Sequence, residues 1–201
     1  MLSVARDRAA QMGAEGIEWV HGDATMLTDY SPATFDVVTC AAALLYMPVA
    51  RALAEWHRVL KPGGVVAFSG MKTGSPLAGR LFRECAAMLG IQLYDPSEAL
   101  GPDSACRSAL LEAGFSATSV TLEALTFSAS DVAVAWESNL RSAHVQAPAL
   151  IPADVALLKA SFERAVARER QRDPAAMERA EVLYVLGRAA AEPAAGDGAD
   201  V

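Results

Sequence analysis

Apolar residues follow two different patterns along the chain, and segments with the two patterns alternate. Apolar positions spaced by three and four residues predict amphipathic helices, whereas short unbroken apolar runs predict strands that are buried on both faces. The helical period covers residues 2–12, 49–60, 76–89, 104–113, 130–142 and 152–172. The apolar runs that predict strands cover residues 17–20, 35–40, 65–68, 119–127 and 181–186.

This alternation indicates an α/β fold with a mostly parallel sheet, flanking helices and a helical cap segment. We expect one domain over residues 1–188, in which 71–118 and 128–180 carry the cap helices on the substrate side. Residues 189–201 are low in complexity and are predicted to be a disordered tail. Because ligands bind such sheets at the carboxyl ends of the strands, the residues that follow the strands are the candidates for function.

Composition and charge narrow the function classes. The net charge of -7 argues against nucleic-acid and anionic-membrane partners. The three cysteines are widely spaced and the three histidines scattered, so neither a disulfide framework nor a metal site is predicted. The chain shows no leader pattern, and its longest apolar run is too short to cross a bilayer. We therefore expect a soluble, cytoplasmic protein without a membrane partner.

The first candidate site follows the run at residues 17–20, where the chain reads His21-Gly22-Asp23-Ala24. A glycine lets the backbone approach a ligand closely, and an acidic side chain beside it can accept a hydrogen bond from a ligand amino group. The backbone N–H next to it can donate to a ring nitrogen. The alternative is an ordinary Gly-Asp turn with no ligand.

The second candidate site follows the run at residues 35–40. Cys40 and Ala41 are small, so they leave the backbone open to a ligand, although close packing of a helix on the sheet would demand the same residues. Tyr46 is the titratable side chain of this segment that could meet a substrate, and the alternative is a core or rim tyrosine. His144 lies in a segment that could overhang a pocket.

Three motifs occur together and in order, namely VHGDA, FDVVTCAAALLYM and RVLKPGGVVAF. This set resembles the class I S-adenosylmethionine-dependent methyltransferases of the small-molecule kind. The later segments LLEAGFSATSV and EVLYVLGRA are similar to a helix–strand unit and the final strand of that family. The resemblance runs from residue 1 to about residue 188, and it leaves the methyl acceptor unidentified.

The resemblance implies a cofactor, S-adenosylmethionine, and roles for individual residues. Asp23 beside Gly22 would hold the adenine amino group, and the Ala24 N–H would donate to an adenine ring nitrogen. Cys40 and Ala41 would lie beside the methionine part of the cofactor. Leu45 and Tyr46 match positions that face the transferred methyl group, and Tyr46 and His144 are the candidates for a proton acceptor. The implied reaction is an in-line displacement at the sulfonium methyl, in which the protein mainly positions the reactants.

The sequence also departs from the family pattern. Relatives have a first strand that ends in a Gly-rich loop of the E/DxGxGxG type and a second strand that ends in an acidic residue. The implied sheet order is 3-2-1-4-5-7-6, in which residues 17–20 match strand three and residues 35–39 match strand four. Since residues 2–12 match the helix after strand two, the chain looks like an incomplete Rossmann-like sheet without strands one and two.

This departure leads to three expectations. Residues 17–20 should either pair directly with residues 35–39 or be poorly ordered. The strand edge left open should invite self-association or a partner chain. Binding of S-adenosylmethionine should be weak, because the ribose and carboxylate contacts of the family are missing.

Three interpretations of the function stay open. The chain is a small-molecule methyltransferase, a catalytically inactive remnant, or half of a split enzyme that needs a second chain.

Overall fold

The computed structural model describes residues 2–190 as an α/β protein. Its helices are α1 (Leu2–Gln11), α2 (Val49–Val59), α3 (Leu77–Met88), α4 (Asp103–Glu112), α5 (Ala129–Ala133), α6 (Ala135–Gln146) and α7 (Pro152–Arg172). Its strands are β1 (Phe35–Ala41), β2 (Leu60–Met71), β3 (Phe115–Thr126) and β4 (Arg179–Ala189). A short 3₁₀ helix, Leu44–Tyr46, follows β1.

The four strands form one sheet in the order β1-β2-β4-β3. β1 and β2 are parallel, and β4 is antiparallel to both of its neighbours, β2 and β3. Three strands therefore run in one direction and β4 runs against them, which confirms the predicted mostly parallel sheet. The order also matches the last four positions, 4-5-7-6, of the order that the resemblance implies.

One face of the sheet carries the main core. The apolar stripe of α2 packs on this face through Leu53 and Trp56, and α4 adds Leu110. The sheet contributes Phe68 and Val185, which are buried on the same side. We call this the covered face. The sequence pattern explains why helices cover this face. An apolar stripe at helical spacing is buried only when it packs on a second apolar surface, and the sheet provides that surface.

A second core lies among α3, α6 and α7. Phe82, Trp136 and Phe162, one from each helix, stack with ring centroids 5.3 to 5.9 Å apart. Leu158 and Ala143 complete the buried centre of this group. The group has its own buried side chains, separate from those on the covered face, and corresponds to the predicted helical cap.

The opposite face of the sheet, which we call the open face, carries apolar side chains that remain in contact with solvent. Val37, Leu186 and Tyr184 are exposed there. α1 does not cover them, because it has no buried residue. Ala180 and Val182, at the start of β4, are buried on this same face. Among residues 2–190, therefore, the open face is uncovered around Val37, Tyr184 and Leu186 and covered at the cap end of β4.

The N-terminal part of the sequence folds differently from its pattern. Residues 17–20 do not form the predicted strand. Of the two alternatives expected for this run, direct pairing with β1 and poor order, the direct pairing is wrong. β1 pairs with β2 alone, so its other edge is free within the described residues. An apolar run needs a neighbouring strand to satisfy its backbone groups, and here it lacks one. Ile17 and Val20 are half-exposed instead.

Other differences concern the bounds of elements. The helix predicted over residues 130–142 is two helices, because the chain breaks at Val134 between α5 and α6. The N-cap of α5 is Ser128, whose hydroxyl accepts from the Asp131 N–H. β4 extends to Ala189, which is buried, so the predicted tail starts too early at this residue. Residues 191–201 of that tail lie outside the described part of the chain.

Candidate functional site

The loop that carries Asp23 has no regular secondary structure, yet α2 holds it in place. The indole N–H of Trp56 donates to the carbonyl of Ala24 over 2.9 Å. The Leu27 N–H donates to Oε1 of Glu55 over 2.6 Å, and the guanidinium of Arg58 donates to the Leu27 carbonyl over 3.0 Å. Because α2 is packed on the sheet, these bonds fix the loop relative to the strand ends.

Glu55 is the charged centre of this attachment. Hydrogen bonds from Arg58, and a further one from the Leu27 N–H, lower the pKa of Glu55 from 4.5 to about 2. The carboxylate is therefore ionised at neutral pH and accepts from both sides. This ion pair is a structural clamp on the loop.

Asp23 uses only one of its two carboxylate oxygens within the described residues. Oδ1 accepts from the backbone N–H and the hydroxyl of Thr25, each over 2.8 Å. These bonds lower the pKa of Asp23, so the side chain is an anion at neutral pH. Oδ2 and the Ala24 N–H have no partner between residues 2 and 190, and a Cβ added at Gly22 would meet nothing within 4 Å. An open acceptor beside an open donor fits an amino group beside a ring nitrogen, as adenine presents them.

The end of β1 is a tight turn built on small residues. Ala42 has a positive φ of 51°, which is uncommon for a residue with a side chain. Its N–H donates to the carbonyl of Ser69 on β2 over 3.2 Å, which joins the ends of the two parallel strands. Burial raises the pKa of the Cys40 thiol, against the effect of the Ala43 and Leu44 N–H groups, so the thiol is neutral at neutral pH. Cys40 and Ala41 thus form a neutral, small-residue edge.

The three residues of the 3₁₀ helix after β1 have different surroundings. Leu44 is buried in the main core, and Leu45 lines a cavity beside the sheet. Tyr46 is 80% exposed and its hydroxyl has no hydrogen-bond partner in the described part of the chain. Of the two positions that the resemblance aims at the transferred methyl, Leu45 therefore borders a cavity and Tyr46 faces solvent.

The cavity that Leu45 borders has a volume of about 330 Å³. Met71, the last residue of β2, lines it from the sheet, and α3, α5 and α6 close it from the cap side. We call it the cap cavity. It lies at the carboxyl ends of β1 and β2, where ligands bind in α/β sheets, and its size is within the range of small-molecule pockets.

Sequence reasoning missed the polar side chains of the cap cavity, among them Arg83, Asp95 and Asn139. They lie on different segments and carry no motif, so only the fold brings them together. One local signal was available. Gly79 lies inside α3, and a glycine within a helical pattern often has a packing or functional reason.

His144 lies on the same helix as Asn139 but does not line the cap cavity. It is exposed near the end of α6. Its role as a proton acceptor stays a prediction, as does that of Tyr46.

The described residues offer neither a metal-binding cluster nor a membrane-spanning helix. Between residues 2 and 190, no three His, Cys, Asp or Glu side chains are grouped so that they could hold a metal ion. Over the same residues, no helix combines the length and the apolar character that a bilayer crossing requires.

Comparison with known proteins identifies relatives of the first part of the chain. Residues 1–68 match the family described as "Methyltransferase domain". Demethylmenaquinone methyltransferase of Staphylococcus epidermidis is 45% identical over 67 residues, which are 33% of this chain and 27% of that protein. Ubiquinone biosynthesis O-methyltransferase of Paracidovorax citrulli is 31% identical over 121 residues, which are 55% of this chain and 50% of that protein. The chain thus spans from about a quarter to a half of these curated relatives.

The fold has a counterpart among solved structures. A candidate methyltransferase from Bacillus halodurans C-125 matches 94% of this chain and 78% of its own, with a TM-score of 0.55 and 19% identity. At 19% identity, this structural similarity concerns the fold alone. Together the comparisons confirm the resemblance to class I S-adenosylmethionine-dependent methyltransferases and the Rossmann-like α/β fold.

Proposed function

We propose that this protein transfers a methyl group from S-adenosylmethionine to a small molecule that carries a hydroxylated ring, of the quinol type. The observation that carries the proposal is the cap cavity, because it meets the carboxyl ends of the two parallel strands that hold the family motifs. The names of the two curated relatives, which concern menaquinone and ubiquinone, support a quinol-type acceptor.

In this proposal, the N-terminal loop and the end of β1 bind the cofactor. The free Oδ2 of Asp23 accepts from the adenine amino group, and the Ala24 N–H donates to a ring nitrogen. Gly22 leaves room for the base, since its Cα faces open space. Cys40 and Ala41 border the methionine part, and Leu45 separates it from the cap cavity.

The chemistry of the proposed reaction asks little of the protein beyond position. When bound, S-adenosylmethionine supplies an electrophilic methyl group, and its sulfur keeps the bonding pair as the methyl moves to the acceptor atom. Leu45 and Met71 line the cavity with apolar surface, which excludes water from the acceptor. An acceptor hydroxyl must also lose its proton, and Tyr46 and His144, neither of which lines the cap cavity, would receive it through water.

A second candidate function rests on the open face. Val37 and Leu186 are exposed on it, and β1 has a free edge within the described residues. A sheet in this state suits the split-enzyme interpretation, in which a second chain supplies strands one and two along the free edge of β1. Light scattering of the purified protein, alone and with cell extract fractions of a producing strain, distinguishes a monomer from a complex.

The test of the first proposal is calorimetric titration of the 201-residue chain with S-adenosylmethionine. We expect measurable binding that is weaker than low micromolar, and an Asp23→Asn variant that loses about tenfold in affinity, since a hydrogen bond to a charged group is removed. Asp29→Asn is the matched control, because Asp29 is an exposed acid of the same loop. Absence of binding, or an equal effect of both variants, would overturn the assignment of the loop. A low-micromolar affinity would contradict the expectation of weak binding but not the assignment of the loop.

A further inference from the structure

The polar groups of the cap cavity are largely committed to one another. Nη2 of Arg83 donates to Oδ2 of Asp95 over 2.5 Å, and Oδ1 of Asp95 accepts from the N–H and the hydroxyl of Ser97 over 2.9 and 2.7 Å. The side chains of Arg83 and Asp95 are only 21% and 19% exposed. Both carboxylate oxygens are thus used, and the guanidinium is held in a fixed orientation.

Asn139 is fixed in a similar way from the other side of the cavity. Its Nδ2 donates to the carbonyl of Ala135, one turn earlier on α6, over 2.8 Å. This bond decides which end of the amide is the oxygen, so Oδ1 is the end left over. Among residues 2–190, Oδ1 accepts no hydrogen bond, and Nη1 of Arg83 donates none.

The two unused groups converge on Gly79. A Cβ built at this glycine would lie 3.3 Å from Nη1 of Arg83 and 3.5 Å from Oδ1 of Asn139. A donor and an acceptor therefore border the same small space, which exists because position 79 has no side chain. No hydrogen bond joins Arg83 to Asn139 within the described residues.

The ligand group that satisfies both is one that accepts and donates at the same atom. A hydroxyl does so, since its oxygen accepts while its O–H donates. A quinone carbonyl or a methyl ether only accepts, and would leave Oδ1 of Asn139 desolvated without a partner.

The charges around the cavity disfavour an anionic ligand. Arg83 is already paired with Asp95, and Asp131, a second lining carboxylate, has its pKa lowered by hydrogen bonds from Ser128. The lining therefore offers no unpaired positive charge to a carboxylate or a phosphate ligand.

We propose that the cap cavity binds the methyl acceptor by one of its free hydroxyls, which accepts from Nη1 of Arg83 and donates to Oδ1 of Asn139. The ligand class is a neutral molecule with an apolar ring and a free hydroxyl, so the site selects a quinol or phenol over the corresponding quinone or ether. Its identity as the methyl acceptor rests on the proposed function, whereas the recognition itself does not require the cofactor.

The experiment is calorimetric titration of the full chain, without S-adenosylmethionine, with 1-naphthol and with 1-methoxynaphthalene. Both probes contain the same naphthalene ring and an oxygen at the same position. The oxygen of 1-naphthol carries a proton that it can donate, whereas that of 1-methoxynaphthalene carries a methyl group. We expect 1-naphthol to bind more tightly by about tenfold, the cost of an unsatisfied buried acceptor. Equal affinities, or no binding of 1-naphthol, would overturn the proposal.

Three variants locate the effect. Asn139→Leu should remove the preference for 1-naphthol and leave 1-methoxynaphthalene within about twofold. Gly79→Ala should weaken 1-naphthol binding, since the new methyl group enters the space beside Nη1 of Arg83. A thermal melt followed by circular dichroism checks that this variant is folded. Arg80→Gln, on the exposed side of α3, is the control and should change neither affinity.

These outcomes separate the two proposals. Loss of the naphthol preference with retained S-adenosylmethionine binding would overturn the hydroxyl site and leave the proposed function standing. A preference for 1-naphthol without any S-adenosylmethionine binding would overturn the proposed function and leave the hydroxyl site standing. If Asn139→Leu keeps the full preference for 1-naphthol, the role of Asn139 is overturned. If Asn139→Leu fails to fold, Gly79→Ala still tests the site, because unchanged 1-naphthol binding by that variant would overturn the placement of the hydroxyl beside Gly79.

Discussion

The two faces of the sheet are made by the same strands and have opposite surroundings. Val185 and Leu186 are neighbours on β4, and both are apolar, yet Val185 is 1% exposed and Leu186 is 46% exposed. The difference comes from what lies over each side chain, because α2 and α4 pack on one face and α1 buries nothing on the other. Hydrophobic character alone therefore does not decide burial in this protein.

The largest expected effect contrasts two leucines on these two faces. Leu110→Ala should lower the free energy of unfolding by about 2–5 kcal/mol, because it leaves a cavity in the covered core. Leu186→Ala removes the same atoms from the open face and should cost less than about 1 kcal/mol. Urea unfolding followed by circular dichroism measures both. Similar losses for the two variants would mean that the open face is covered in solution.

A second contrast uses glycines. A Cβ at Gly187 would lie 3.0 Å from Leu110 and 3.2 Å from Phe115, so Gly187→Ala should cost about 1–3 kcal/mol through overpacking. A Cβ at Gly70, on β2, would meet nothing within 4 Å. Gly70→Ala is therefore the control, and its unfolding midpoint should not fall. The comparison fails if both substitutions shift the midpoint equally.

The clamp between α2 and the loop that carries Asp23 predicts a pH dependence. The folded protein lowers the pKa of Glu55 from 4.5 to about 2, so the clamp stabilises the fold above pH 4.5. This contribution should disappear as the pH falls from 4.5 to about 2, as Glu55 becomes protonated. Thermal unfolding across this window should show a smaller slope for Glu55→Gln than for the wild type. An identical slope would exclude Glu55 as its source.

The smallest expected effect concerns the cysteines. Burial, with the charge of Asp103, raises the pKa of Cys106 to about 11, and its thiol donates to the Leu100 carbonyl over 3.0 Å. Cys40 is only half-buried at the end of β1. A disulfide reagent at pH 8 should therefore modify Cys40 first and Cys106 only on unfolding. Cys40→Ala should remove the fast phase, and a fast phase that persists in this variant would contradict the assignment.

The sequence predicted those elements whose hydrophobic pattern is complete within one short segment. The stripe of α2 and the apolar run of β1 predicted their elements because each is complete within a dozen residues. The run at residues 17–20 failed because a strand depends on a neighbour that its own sequence does not encode. The break at Val134 was missed since both of its flanking segments favour helix.

The candidate site divides in the same way. Asp23, Ala24 and Cys40 could be proposed from the sequence, because they lie within the short motifs VHGDA and FDVVTCAAALLYM. Arg83 and Asn139 could not, since their relation depends on how α3 packs against α6. Packing of this kind is set by side-chain shape over the whole interface and has no short sequence signature.

The proposed cofactor and acceptor sites lie in different parts of the chain, and this separation has an evolutionary consequence. Asp23 and Cys40 lie within the first 41 residues that end with β1, whereas Arg83 and Asn139 belong to the helices of the second core. Duplicated genes could therefore change their choice of acceptor by mutating α3 and α6, while selection on the donor side stays constant. Lineages that share the N-terminal motifs would diversify mainly in the cap, and Gly79 would mark the branch that retained a hydroxylated acceptor.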